Sequence, residues 1–408
     1  MSMLKKMTAV LSAAMVSATL FGCADTSYIL KADNDEVKAG VYISYISTEL
    51  QNHIYSLQNS GVTSDFLNQK VEDKNLKDLV AEEAMTSVKE YAAINAQFDE
   101  FGLKLDEDTV KDINSNIADT WSEYQKSYEK QGISKESLKN VSRSTAKRQA
   151  IFDYFYNKEN GKEAVSDKDM TKYVNDNYLR YKILAIQKKK ASTTDSSSAD
   201  ESSQVEDNSK ELYEKYLKKA KATDFAGFDK VIDEYTKETT PESSSEAESS
   251  VPTDDTSAVD SATDSAVESD SSVADSQSDA SSEEESSKDP YANEQMSNYG
   301  AMEDKDADST SVKVLKKIDG MKVGAVAGYE DEDGYYIFIK GDVTERTPKY
   351  IADEQQYSTL INEMKGDEFQ KKIDSWVEKI KYDINNEAMD RYTVEEVYNK
   401  IYESDDSK

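Results

Sequence analysis

The sequence predicts an α+β fold that is mainly helical and carries one small antiparallel sheet. Residues 323–340 (VGAVAGYEDEDGYYIFIK) have the pattern of a β-hairpin, with aromatic and β-branched residues after an acidic turn. Gly334 ends that turn, and we expect it to adopt a positive φ there. Residues 181–187 (YKILAIQ) form a second strand pattern far upstream. Amphipathic helical patterns flank the two strands, and low-complexity sequence separates them.

The charge of the chain is strongly negative and unevenly distributed. The 408 residues include 82 acidic and 50 basic ones, a formal net charge of -32, which argues against nucleic acid as a partner. Fourteen acidic and no basic residues lie between positions 242 and 287, and five more acidic residues lie between 195 and 207. Residues 188–207 and 238–308 are therefore predicted to be disordered insertions. They act either as solvated loops or as acidic tracts that attract cations or basic clients.

Cysteine and histidine are almost absent, which limits the chemistry open to the chain. Cys23 is the single cysteine and His53 the single histidine, so an intrachain disulfide and a zinc site of several Cys and His ligands are excluded. An all-carboxylate metal site remains open in principle, but no ordered ligand loop is present in the sequence. His53 has no candidate partner in the sequence and is interpreted as a surface residue or a residue satisfied within the fold. No metal and no cofactor are predicted.

The amino terminus has the pattern of a secretory signal. Lys5 and Lys6 precede an uncharged, mostly apolar run over residues 7–21. Residues 20–23 (LFGC) resemble the lipobox of bacterial lipoproteins, in which the cysteine, here Cys23, is lipidated and becomes the first mature residue. This resemblance implies a lipid anchor on the outer face of a bacterial membrane. An ordinary signal peptide or a weak anchor helix with an incidental cysteine is the alternative.

Five helical patterns follow a tether predicted over residues 23–36. Their apolar stripes begin near Val41, Leu76, Val110, Leu138 and Met170, and three of the helices have an N-cap signal. These N-caps are Asp106, Ser134 and Ser166, and Gly102 is well placed just past the end of the second helix. The aromatic stripe of Trp121, Tyr124 and Tyr128 on the third helix is either core or an exposed client-binding surface.

Three phrases in this helical half resemble a known family. Residues 101–108 (FGLKLDED), 131–138 (QGISKESL) and 165–170 (VSDKDM) look like the chaperone segment of extracytoplasmic foldases of the SurA and PrsA type. In that family a parvulin-type prolyl isomerase domain follows, with a His-Ile-Leu phrase on its first strand and a Gly-Tyr-His-Ile phrase that closes the sheet. Lys182 stands at the first histidine position here, and Tyr336 stands at the second.

The resemblance implies a division of the chain into five parts. They are a signal peptide (1–22), the tether (23–36), a helical chaperone segment (37–179), a degenerate parvulin-like domain (180–346) with one helical piece over residues 208–237, and carboxy-terminal helices (347–404). In the family the carboxy-terminal segment returns to complete the helical module, and Ile373, Trp376 and Ile380 have the spacing for that packing face. An independent tail hairpin is the alternative. Gly366 is expected to divide this segment into two helices.

The implied function is that of a membrane-anchored extracytoplasmic chaperone that binds unfolded or nascent secreted polypeptides. Because both histidine positions are changed, to Lys182 and Tyr336, isomerase activity is expected to be weak or absent. Prolyl isomerisation needs an apolar pocket and a polar network rather than a covalent step, since its barrier of about 18–20 kcal/mol comes from amide resonance. An active prolyl isomerase and a structural or solute-binding surface lipoprotein are the alternative functions.

Overall fold

The computed structural model describes residues 27–33, 35–188, 207–240, 291–302 and 308–402. These residues form an α+β fold with twelve helices and nine strands in the described part of the chain. They divide into two compact units. Unit 1 holds the described residues up to Ala164 and from Lys365 onward, and unit 2 runs from Val165 to Met364. The division falls earlier than residue 179, so the fifth predicted helix belongs to the unit that contains the sheet.

Unit 1 is built on long helices. They are α1 (Ala39–Asn59), α2 (Leu76–Glu100), α3 (Glu107–Gln131) and α4 (Lys135–Tyr156), joined by the end of α10 (Glu354–Lys379), α11 (Asn386–Arg391) and α12 (Val394–Tyr402). The predicted caps are confirmed: the side chains of Asp106 and Ser134 accept hydrogen bonds from Thr109 and Ser137 backbone amides. Gly102 follows α2 with φ of 65°, as expected for a C′ glycine. Gly366 lies inside α10, so the predicted division into two helices is wrong.

A small three-stranded sheet was missed in the predicted tether. Strands β1 (Tyr28–Ala32) and β2 (Asp35–Lys38) pair antiparallel, and β1 also pairs with β9 (Tyr382–Ile384) near the other end of the chain. Ile29 and Leu30 are fully buried in the core of unit 1. The tether prediction is therefore wrong for residues 28–36, because a short apolar strand is stabilised by partners that only the fold supplies. Strands β3 (Lys70–Val71) and β4 (Lys74–Asn75) form a separate short hairpin.

Unit 2 is organised on a four-stranded antiparallel sheet with the order β6-β5-β8-β7. The strands are β5 (Tyr178–Gln187), β6 (Gln295–Asn298), β7 (Val326–Glu330) and β8 (Gly334–Lys340). The hairpin β7–β8 confirms the sequence prediction. Gly334 does not have a positive φ, however; a Cβ there would lie 2.8 Å from the carbonyl oxygen of Ile186 on β5. Close approach of two strands, rather than turn conformation, requires this glycine.

Helices cover both faces of the sheet. On one face lie α6 (Ser209–Ala220) and α7 (Phe228–Thr239), where a single helical piece was expected. On the other lies α8 (Thr310–Asp319), which packs against Leu179, Tyr181 and Phe338. Helices α5 (Asp167–Asn177) and α9 (Val343–Tyr350) pack against each other and against β5. The start of α5 is capped by Ser166, as predicted.

Parts of the predicted disordered insertions, at residues 188, 207, 238–240, 291–302 and 308, are described by the structure and contradict that prediction. Residues 295–298, inside the predicted insertion 238–308, form β6 and pair with residues 178–181 of β5. Lys188 donates its amide to the carbonyl of Asp333 at 2.9 Å and its ammonium to Glu330 at 2.8 Å. Both segments are ordered for one reason. Each continues the hydrogen bonding of the sheet, β6 beside β5 and Lys188 beside the start of β8, and their polar composition does not reveal this pairing. The rest of both insertions, residues 189–206, 241–290 and 303–307, lies outside the described residues, as does Cys23.

Candidate functional site

Lys182 and Tyr336 lie on neighbouring strands, as predicted, but on opposite faces of the sheet. In the β5–β8 ladder Lys182 pairs with Ile339 and Tyr336 pairs with Ala185. Directly paired residues of an antiparallel ladder share a face, and successive residues alternate between faces. Positions 336 and 339 are three positions apart along β8, which is an odd step. The side chains of Lys182 and Tyr336 therefore lie on opposite faces of the sheet. A single site formed by both residues, the arrangement implied by the resemblance, is excluded by this register.

Lys182 is held in the interior of the face covered by α6 and α7. Its side chain is 3 % exposed, and its ammonium donates to Oδ2 of Asp229 at 2.7 Å. The same nitrogen lies 4.7 Å from the centre of the Phe225 ring, at cation–π distance. Asn293 donates to the other carboxylate oxygen of Asp229 at 3.2 Å. Lys182 is therefore buried with its charge neutralised by Asp229, as a buried ammonium group requires.

Arg180, two residues earlier on β5, was missed by the sequence reasoning. Its guanidinium donates to both carboxylate oxygens of Glu294 at 2.8 Å and to Glu345 at 2.8 Å. The side chains of Arg180 and Glu294 are 8 % and 6 % exposed, so this bidentate pair is buried. The sequence did contain a signal for this pair, because Arg180 and Lys182 lie within a mostly apolar strand. Charged residues at buried positions need partners of opposite charge, so acidic partners were to be expected.

Tyr336 lies on the opposite face, among residues that are only partly buried. Its ring centre is 6.1 Å from that of Tyr329 on β7. Burial and the nearby carboxylates of Asp331 and Asp333 raise the pKa of Tyr336. Like any tyrosine hydroxyl at neutral pH, that of Tyr336 is a protonated hydrogen-bond donor. Further half-buried side chains pack on this face: Ile183, Tyr299, Met302, Met321 and Ala327. An apolar surface with adaptable methionines and a hydroxyl donor can hold an apolar residue of a peptide.

A second candidate surface is an aromatic groove in unit 1. Three rings from α4, α10 and the end of α2 meet there, with centroid distances of 6.0 Å for Phe101–Trp376 and 6.4 Å for Phe155–Trp376. All three residues are partly exposed. The groove has a volume of about 460 Å³ and is lined as follows: Gln97, Phe101, Phe155, Glu368, Lys371, Lys372, Ser375 and Trp376. We call this surface the aromatic groove.

Lysines form one edge of the aromatic groove. The Lys372 ammonium lies 4.7 Å from the centre of the Phe155 ring and donates to Glu163 at 2.9 Å. Lys371 is exposed beside it. Trp376, Phe101 and Phe155 offer apolar area, and the lysines offer hydrogen bonds to main-chain carbonyl groups or acidic side chains. This combination suits an extended polypeptide with apolar side chains.

The predicted aromatic stripe on α3 is divided between core and surface. Tyr128 packs against the core of unit 1, with its ring stacked on Trp121 at 6.2 Å, whereas Tyr124 is 49 % exposed. Sequence periodicity suggested one role for all three residues. The helix turns them to different environments, and the aromatic groove forms elsewhere in unit 1.

His53 is a satisfied residue, one of the two alternatives left open by the sequence, although the sequence offered no candidate for its partner. Its Nε2 lies 2.8 Å from Oε2 of Glu83 on α2, and Glu49 is one turn earlier on α1. The partner was missed because Glu83 lies 30 positions away in the sequence and is brought close only by the packing of α1 on α2.

Comparisons with known proteins place no further constraint on the site. No protein-family model matches this chain, and no curated protein sequence matches it. Among the described residues, no helix combines the length and the apolar character needed to cross a membrane.

Proposed function

We propose that this protein is a lipid-anchored extracytoplasmic chaperone of the SurA and PrsA type, which binds unfolded secreted polypeptides. The observation that carries the proposal is the aromatic groove, in which Phe101, Phe155 and Trp376 leave ring surface accessible beside exposed Lys371. Neighbouring aromatic rings that reach solvent together can bind apolar side chains of a peptide. The resemblance of the helical segment to foldases and the lipobox ending at Cys23 point in the same direction.

The proposal includes a parvulin-like domain with weak or absent prolyl isomerase activity. Its support is the pairing of β5, which carries Lys182-Ile-Leu, with β8, which carries Gly-Tyr-Tyr336-Ile. Lys182 forms an ion pair with Asp229 on one face of the sheet, and Tyr336 lies on the other face. The two side chains are therefore unable to contact the same prolyl bond. The Tyr336 face then serves as a second contact surface for apolar client residues.

The test is suppression of aggregation by the soluble protein that begins after Cys23. A shorter chain that begins at residue 31 is unsuitable, because it removes the buried residues Ile29 and Leu30 from β1. We expect the protein to suppress aggregation of a chemically denatured client at near-stoichiometric ratio. Trp376→Leu should weaken this suppression several-fold, because it removes aromatic area from the groove.

The chain supplies a matched control, since its two tryptophans are Trp121 and Trp376 and both lie in unit 1. Trp121→Leu should leave suppression unchanged, and circular dichroism should verify that both variants are folded. Equal losses in the two variants would assign the effect to unit stability. No suppression by the unaltered protein would favour a structural or solute-binding surface lipoprotein.

An active prolyl isomerase is the second candidate, favoured by the protonated Tyr336 hydroxyl on a face that carries Met302 and Met321. A protease-coupled peptide assay distinguishes it. We expect little or no acceleration over the uncatalysed rate. Acceleration that Tyr336→Phe abolishes and Lys182→Met retains would establish isomerase activity on the Tyr336 face alone.

A further inference from the structure

Three metal-ligating side chains meet between α1 and α2 in unit 1, and none of them lines the aromatic groove. Glu49 and His53 are one helical turn apart on α1, and Glu83 reaches them from α2. One ligand atom from each residue lies within 4.8 Å of the other two. The cluster combines an imidazole nitrogen with two carboxylate oxygens, which distinguishes it from the exposed acidic residues common on this chain.

The backbone around the three residues is fixed by the core. Leu50 and Ile54 follow the two α1 ligands directly and are buried, and Val80 and Ala84 are buried on α2 beside Glu83. The three ligand side chains themselves are partly exposed. A cation held there is therefore reachable from solvent, and a water molecule can complete its coordination.

The separations of the three donor atoms bracket the spacing that a first-row divalent cation requires. Ligand bonds of about 2.0–2.1 Å in a tetrahedral site place neighbouring donor atoms about 3.4 Å apart. The separation of 2.8 Å between His53 Nε2 and Glu83 Oε2 lies below that value, and the limit of 4.8 Å lies above it.

We propose that Glu49, His53 and Glu83 bind one first-row divalent cation, with Zn²⁺ the best match, and that this cation cross-links α1 and α2. One imidazole and two carboxylates are the donors that Zn²⁺ accepts with three protein ligands and one water. The imidazole disfavours Ca²⁺ and Mg²⁺, which take oxygen ligands. The net charge of -32 raises the local concentration of cations near the protein.

Calorimetric titration of the chelator-treated soluble protein with Zn²⁺ tests the proposal. Millimolar Mg²⁺ in the buffer occupies the acidic tracts, so that only a site with nitrogen ligation remains to be titrated. We expect one strong site per chain, with Kd weakened at least tenfold in both His53→Gln and Glu49→Gln. Glu82→Gln is the matched control, because Glu82 is the exposed neighbour of Glu83 and pairs with Lys74; its Kd should be unchanged.

The thermal midpoint of unit 1 gives a second readout that does not depend on calorimetry. Both tryptophans lie in unit 1, so tryptophan fluorescence follows the unfolding of the α1–α2 pair. Zn²⁺ should raise this midpoint in the unaltered chain and in Glu82→Gln, but not in His53→Gln. The variants' midpoints without Zn²⁺ verify that they are folded. Equal Zn²⁺ affinity in the unaltered chain and His53→Gln, or no site above the weak acidic background, would overturn the proposal.

Discussion

The two faces of the four-stranded sheet in unit 2 differ in how far their polar groups are buried and paired. On the face covered by α6 and α7, Arg180 and Lys182 are buried, and carboxylates neutralise both charges. On the face covered by α8, Tyr336 is half-buried and lies among side chains that reach solvent. The first arrangement fixes groups inside the fold, whereas the second leaves groups free to contact another molecule.

This difference separates the two residues that the resemblance placed at equivalent histidine positions. Lys182 is surrounded by Asp229 and Phe225, so a peptide reaches its ammonium only if α7 moves. Tyr336 needs no such movement. Under the proposed function Lys182 contributes to stability and Tyr336 contacts a client peptide, and substitutions on the two faces should therefore affect different measurements.

The largest effect is expected at Arg180 on the buried charged face. Arg180→Met leaves the buried carboxylate of Glu294 without its bidentate donor, which should cost about 3–5 kcal/mol of unfolding free energy. Hydrogen exchange measured on peptides that cover β5 and β6 reports this loss directly. The matched variant Glu345→Gln changes the exposed partner of the same guanidinium and should cost less than about 1 kcal/mol. Equal losses in the two variants would contradict the assignment.

A smaller effect is expected at Lys182. Asp229→Asn should cost about 3 kcal/mol, because it leaves the ammonium of Lys182 buried and only partly compensated. Lys182→Met should cost less, since the Asp229 side chain is 37 % exposed and water reaches it. The double variant should return to within about 1 kcal/mol of the unaltered protein, because both charges are then removed. Urea unfolding followed by circular dichroism measures all three, and additive losses in the double variant would argue against the pair.

The sequence was sufficient for elements whose signal is local. The stripe and the cap at Asp106 predict α3, and the run of aromatic and β-branched residues after Gly334 predicts β8, because each pattern lies within one element. Strands β6 and β9 were missed because they are short and polar, and their partners lie more than 100 residues away. Only tertiary pairing stabilises them.

The placement of Lys182 and Tyr336 on adjacent strands was predictable from the sequence, but the orientation of their side chains was not. Lys182 and Tyr336 were correctly placed on adjacent strands, whereas their opposite orientation depends on the register of β5 against β8. Helices cover both faces of these strands and both faces carry apolar residues, so the alternation of polar and apolar residues that would specify register is absent. The partners of His53 and the aromatic groove likewise arise from helix packing, which no single stripe encodes.

The smallest effect on stability is expected at Tyr336, where a loss of binding without a loss of stability would distinguish the two faces of the sheet. Within the described residues no hydrogen bond depends on the Tyr336 hydroxyl, so Tyr336→Phe should change the unfolding free energy by less than about 1 kcal/mol. Removing the ring in Tyr336→Ala deletes its contact with Tyr329 and should cost more. Binding of a proline-containing peptide, measured by fluorescence anisotropy, should weaken in both variants and remain unchanged in Lys182→Met. A loss of peptide binding in Lys182→Met at full stability would instead place the contact surface on the charged face, and Tyr336 would then be a packing residue only.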